Sequence, residues 1–305
     1  MIFKGLAAAA AVAWALGLVV LQPLSEPIGP ETYANNTYWA RELRWGALLA
    51  LVLALIVLSG GRRRANWSIV AGGCAWLAAD VVLDRFDVDQ GAAWFAAGAA
   101  VVALAGCAVV AAPRPGSLRA AAIVAAVASG LATATESPTD TEMGLHLGSA
   151  AVGSLLALVA VAAAAGRRRV PIAVPVLAAA VPWLLRFNPL PDGMLWFGCF
   201  AFTVLLVVAV VALATPHVGQ HGIVATIAAI TLPVMLLPLT LASVLVQSGK
   251  PFTLLAANPP IEVDEDVILI VLAIPVGIVL DHVLRGFSPE PAVPDTRPRA
   301  SLSRQ

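Results

Sequence analysis

Apolar residues in this chain come in unbroken runs rather than in stripes. A helix on the surface of a soluble domain shows a 3.6-residue stripe, whereas a helix that is apolar all round belongs in lipid or deep in a bundle. A membrane span needs about 20 mostly apolar residues. Runs of that kind, separated by polar breaks, fall at 5–24, 42–60, 66–83, 91–112, 118–134, 144–165, 170–187, 193–215, 222–247 and 267–285. The third, fifth and seventh are the shortest. The pattern predicts an all-α integral membrane protein of about ten transmembrane helices. The first run exceeds a secretory h-region and no clean A-x-A site follows it, so it reads as a true span.

The breaks alternate in sign. "GRRR" (61–64), "PRPGSLR" (113–119) and "GRRR" (166–169) are basic, as are Lys4 and the tail arginines. "SEPIGPET" (25–32), "DRFDVDQ" (84–90), "TESPTDTE" (135–142) and "NPPIEVDED" (258–266) are acidic. Lys and Arg accumulate in cytoplasmic loops, so both termini are expected inside, in a cell (plasma) membrane. The Ala-, Val- and Arg-rich usage is of a bacterial kind.

Several landmarks recur at offsets of 101–105 residues. "LRWG" (43–46) falls over "LHLG" (145–148), and the two "GRRR" breaks align. "RF" (85–86) falls over "RF" (186–187), Gly91 over Gly193, and "WF" (94–95) over "WF" (196–197). "PRPG" (113–116) falls over "PHVG" (216–219). An even number of spans per unit keeps successive copies in one orientation, so the expected arrangement is a parallel repeat. It divides the chain into 1–117 and 118–221 (four helices each), 222–285 (a two-helix partial copy) and a Pro-rich cytoplasmic tail, 286–305, expected to be disordered. The repeated Arg-Phe and Trp-Phe read as anchors at the outer lipid boundary, with a glycine at each turn.

Composition narrows the picture further. Hydrophobic residues make up 60% of the 305 positions and charged residues only 12%, about half the charge a soluble surface carries. The net charge is zero, which gives no sign of a nucleic-acid partner. Cys74, Cys107 and Cys199 sit in apolar runs and read as small buried hydrophobes rather than a disulfide or metal framework.

Candidate chemistry lies where the copies differ. Asp80 and Asp84, four apart on one helix face, fall where the second copy has Val181 and Leu185. Acids within a span are functional hypotheses by default; pairing with Arg85 or Arg186 would make them structural. Glu136, Asp140, Glu142 and His146 crowd another outer hairpin and could attract a cation, although their spacing fits no EF-hand or zinc pattern. His217 and His221 lie four apart in a Pro- and Gly-containing loop, and Asp281 and His282 end the last span; no metal or cofactor is expected. Pro175, Pro182, Pro233, Pro238 and Pro275 fall within spans, as in the discontinuous helices of transporters. No phosphate loop, nucleophile elbow or HExxH pattern occurs, so motifs lean away from an enzyme.

The resulting expectation is a secondary transporter or exporter with an acidic outer mouth. Asp80, Asp84, Arg85, Glu136, Asp140, Glu142, His146 and Arg186 are its candidate pathway residues. Partners are the bilayer and a small-molecule or ion substrate. The alternatives are a non-catalytic subunit bound to another membrane protein, and an enzyme acting on a lipid-linked substrate at the outer face. The topology predicts that single cysteines placed in 135–142 react with membrane-impermeant maleimide on intact cells. Labelling there only after the membrane is opened would reverse the orientation.

Overall fold

The computed structural model describes residues 2–25, 39–111, 118–134, 143–166, 168–188, 190–215, 218–258 and 266–287. Among them there are helices and turns but no strand. A helix stands at each of the ten expected places. The first begins as α1 (Ile2–Leu16) and continues through a π-helical turn, Gly17–Leu21, into α2 (Gln22–Ser25). There follow α3 (Trp39–Leu58), α4 (Arg63–Arg85), α5 (Ala92–Val110), α6 (Arg119–Ala134) and α7 (Met143–Ala165). Next come α8 (Ala173–Phe187), α9 (Asp192–Ala214), α10 (His221–Leu245), the short α11 (Lys250–Leu255) and α12 (Asp266–Gly286). The π turn and α11 are additions to the expected list.

Seven stretches are long and apolar enough to cross a bilayer: Ile2–Ser25, Arg63–Arg85, Ala92–Val110, His146–Ala165, Gly193–Ala214, His221–Leu245 and Ile268–Gly286. The chain has the make-up of an all-α multi-pass membrane protein. The other three depart for physical reasons. Helix α3 has 20 residues but carries Arg41, Glu42 and Arg44. Helices α6 and α8 have only 16 and 15 residues. The expected third span, by contrast, is a full 23-residue helix.

Helix α6 is buried on most sides. Ala122 through Gly130, Ala132 and Thr133 are all buried, and α3, α7, α9 and α12 pack against it. Lipid gives no hydrophobic drive for helix association, so close contact depends on small residues. On α5 the buried stripe is Ala99, Ala103 and Cys107; it packs along α1, whose buried face is Ala7, Ala10, Ala11, Trp14 and Ala15. At Gly277 of α12 an added Cβ would lie 2.7 Å from Cα of Val124, so the two backbones touch only because that position is glycine.

Helix α4 is the exception to this close packing. It runs beside α3 and meets α11, and its buried residues are Ile69, Asp80 and Asp84 alone. Two of the three are acids.

The basic breaks have parallel uses. Arg62 Nη2 donates to the carbonyl of Val110 at 2.8 Å, and Arg168 Nη1 to that of Leu213 at 3.1 Å. Each arginine therefore satisfies an open carbonyl at a helix C-terminus. The paired outer turns differ. Gly91 precedes α5 with φ +80°, as a tight turn requires. Gly193 instead lies inside the first turn of α9, which starts after Pro191, so the expected second glycine turn is corrected to a proline entry. Phe86, Trp94, Phe187, Trp196 and Phe197 are exposed. Pro175 occupies the first turn of α8, where no amide partner is lost, and Pro182, Pro233, Pro238 and Pro275 lie inside helices.

Gly277→Ala should lower stability by about 1–3 kcal/mol through overpacking, read as a fall in thermal midpoint in detergent. Gly222→Ala, where an added Cβ meets nothing within 4 Å, should leave the midpoint unchanged or slightly raised.

Candidate functional site: a buried arginine–aspartate cluster

Arg41, Arg44 and Trp45 lie at i, i+3 and i+4 on α3 and so share a face. Asp80 and Asp84 lie at i and i+4 on α4. The antiparallel α3–α4 hairpin sets these faces against each other, and all four charged side chains are at most 2% exposed. Asp84 Oδ2 takes Arg44 Nη2 at 2.9 Å and Arg41 Nη2 at 3.3 Å. Arg44 Nε stands 3.0 Å from Asp80 Oδ1. Two cations and two anions cancel, which is the condition for charge to survive deep burial.

Neutral donors complete the cluster. Trp14 Nε1 donates to Asp80 Oδ1 at 2.8 Å, and Trp45 Nε1 to Asp80 Oδ2 at 3.0 Å. Arg44 Nη1 donates to Gln22 Oε1 at 3.0 Å, and Arg41 Nη1 to Thr253 Oγ1 at 2.9 Å. Residues eight apart on an unbroken α-helix point about 80° away from each other. The π turn between Trp14 and Gln22 takes up the difference, and both reach the cluster. It also places Gly17 against Arg44, where a Cβ would come within 2.8 Å of Cγ.

Helix α11 closes one side. Besides the Arg41–Thr253 bond, Arg85 Nη1 donates to the carbonyl of Leu255 at 3.0 Å. The Phe252 ring meets Trp45 edge-on at 5.0 Å. Three contacts from two helices thus hold a six-residue helix over the charged groups.

No protein-family model, curated protein or solved structure matches this chain. The site is therefore read from its own geometry.

Of the expected residues, Asp80 and Asp84 belong to this cluster. Their partners are Arg41 and Arg44 of α3, rather than Arg85 or Arg186. Arg85 is exposed and serves α11. Arg186 is buried in the other hairpin, where its Nε donates to Ser149 Oγ at 2.7 Å; His146 lies one turn before Ser149, its ring 5.8 Å from that of Phe187. Glu136, Asp140 and Glu142 lie outside the described residues, as does His217. Among the described residues no three potential metal ligands converge. Asp281, near the C-terminal end of α12, pairs with Arg119 at 3.3 Å and Arg285 at 2.6 Å.

Sequence reasoning missed Arg41, Arg44, Trp14, Trp45, Gln22 and Thr253. One signal was available: Arg41 and Asp80 lie equally far along the chain from the Gly60–Gly61 turn, so a straight hairpin brings them level.

Removing one charge from such a group leaves another buried and unpaired, a cost of about 3–5 kcal/mol. Arg44→Met and Asp80→Asn should each destabilise on that scale in mixed-micelle unfolding. The double variant restores balance, leaving Arg41 with Asp84, and should lose at least about 1 kcal/mol less than the two singles together.

Proposed function

We propose that this chain is a secondary transporter of the cell membrane, with ten spanning helices, both termini in the cytoplasm and two parallel four-helix units followed by a two-helix part-copy. Support for the repeat comes from matching contacts: α1 packs on α3 and α5 as α6 packs on α7 and α9, and the helix-end capping by Arg62 recurs at Arg168. The hairpins α3–α4 and α7–α8 also each place buried polar side chains near the same end.

The observation that carries the transport reading is the attachment of α4. Its fully buried residues are Ile69, Asp80 and Asp84, with Trp76, Leu77 and Leu83 half-buried against the core, and α11 bridges its end to α3. Ionic and hydrogen-bonded contacts exchange partners without loss of a packed core. An element anchored at one end by them, with few fully buried apolar residues, suits the two-position behaviour that gating requires. In this reading the cluster is a latch rather than a cargo site, because both oxygens of Asp80 are already engaged. Asp87 and Asp89 form the acidic mouth beside it, and α11 is the outer gate.

Proteoliposomes loaded with a small-molecule extract of the source cells provide the test. The wild-type chain should change the retained amount of a specific group of solutes, measured by mass spectrometry against protein-free vesicles. Arg85→Ala with Thr253→Val, which unlatches α11, should abolish or uncouple that change while the protein stays folded. A solute profile identical to that of empty vesicles, across imposed proton and sodium gradients, would sink the transporter reading.

A further inference from the structure

Two cavities follow one another along the seam between the first helix, α4 and α5. The larger, about 600 Å³, is lined by Trp14, Trp76, Ala79, Trp94, Phe95 and Gly98 among others, all apolar or aromatic. It lies where α1 packs along α5 while α4 packs chiefly on α3 and α11 and meets α1 through Trp14. The smaller, about 190 Å³, is lined by Leu18, Gln22, Pro23, Asp84, Asp87, Val88 and Asp89. Leu18 lies one turn beyond Trp14 and Asp84 just over one turn beyond Ala79, so the apolar slot leads to the polar pocket within about 6–8 Å of helix. Trp14 lies between them, with its ring in the slot and its Nε1 bonded to the buried Asp80, one turn before Asp84 of the polar pocket.

The polar pocket has two kinds of open valence. Gln22 is only 3% exposed and its Oε1 is taken by Arg44, which fixes the amide orientation. Its Nε2 has no hydrogen-bond partner, a buried donor that calls for an acceptor. Asp87 and Asp89 supply negative charge at the rim and make no ion pair among the described residues, whereas Asp84 is already neutralised by two arginines.

We propose that the seam holds an ammonium-headed membrane lipid, with an acyl chain in the slot, a phosphate or ester oxygen accepting from Gln22 Nε2 and the ammonium facing Asp87 and Asp89. The chemistry decides against other occupants. A free cation would use the acids but leave the amide donor and the apolar slot empty. An anionic lipid would meet two carboxylates at the rim. A lipid with a zwitterionic amine head satisfies slot, donor and acids together. The proposal deepens the transport reading by naming its cargo class, and rests on that reading only for movement of the lipid.

The test uses the full chain purified from vesicles of equal phosphatidylethanolamine and phosphatidylglycerol, with retained lipids counted by native mass spectrometry. Phosphatidylethanolamine should be enriched about three- to fivefold, the range a partly exposed ion pair supports. Asp87→Asn with Asp89→Asn should return the ratio to that of the vesicle. Gly72→Leu with Gly98→Leu fills the slot from two positions where an added Cβ meets nothing within 4 Å, and should remove the retained lipid whatever its head. A ratio equal to the vesicle's in the wild type, or enrichment that survives the slot-filling variant, overturns the proposal. Translocation of a fluorescent phosphatidylethanolamine in the same vesicles is scored separately. Enrichment without translocation keeps the bound lipid and removes transport of it; solute transport without enrichment keeps the transporter and removes this cargo.

Discussion

One helix of this bundle is held in place by charge. Elsewhere in the molecule, helices meet through alanine and glycine together with leucine, valine and isoleucine, with the small residues letting backbones approach. Helix α4 contributes little of that kind, and the two aspartates at its end do what an apolar face does for the others. Arg41 and Arg44 answer them, and Trp14, Trp45, Gln22 and Thr253 add hydrogen bonds to the group. In a low-dielectric setting such a network is strong when complete and costly when any member is missing. It ties together α3, α4, the end of the first helix and α11.

Set beside this, the central part of the molecule shows the opposite strategy. Helix α6 is surrounded on most sides and packs through mostly small side chains. Its hydroxyls turn inward to carbonyls: Ser129 donates to that of Gly153 at 2.6 Å, and Thr133 to that of Ser129 at 2.7 Å. The molecule thus combines a tightly fitted centre with a looser flank on which the aromatic slot opens. That division, a fixed body and a flank secured at one end, is the mechanical basis of the transport reading.

Much of this architecture was legible in the sequence because lipid imposes a simple rule on backbone hydrogen bonding: only closed helical runs of sufficient length satisfy it. The long apolar helices were found at their expected places for that reason, and seven of the ten are long and apolar enough to cross a bilayer. The rule is silent about what a short helix in a loop will do, so α11 went unseen. It is equally silent about the π turn, which depends on Trp14 and Gln22 both reaching a partner contributed by other helices. At the site, Asp80 and Asp84 stood out because acids are rare in spans. Arg41 and Arg44 did not, because at the start of a span an arginine looks like an interfacial anchor. Only the pairing of α3 with α4 shows that they are interior residues.

The same pairing bears on how the protein is made. Taken alone, α3 carries Arg41, Glu42 and Arg44 and falls outside the seven stretches apolar enough to cross a bilayer, while α4 brings two acids of its own. Each isolated charge at mid-membrane opposes insertion by roughly 2.5–3.5 kcal/mol on translocon scales. Entering together, the two helices present the lipid with neutralised pairs. The hairpin is then the smallest piece of the chain within which these charges balance, and the short Gly60–Gly61 turn keeps its two arms adjacent in sequence.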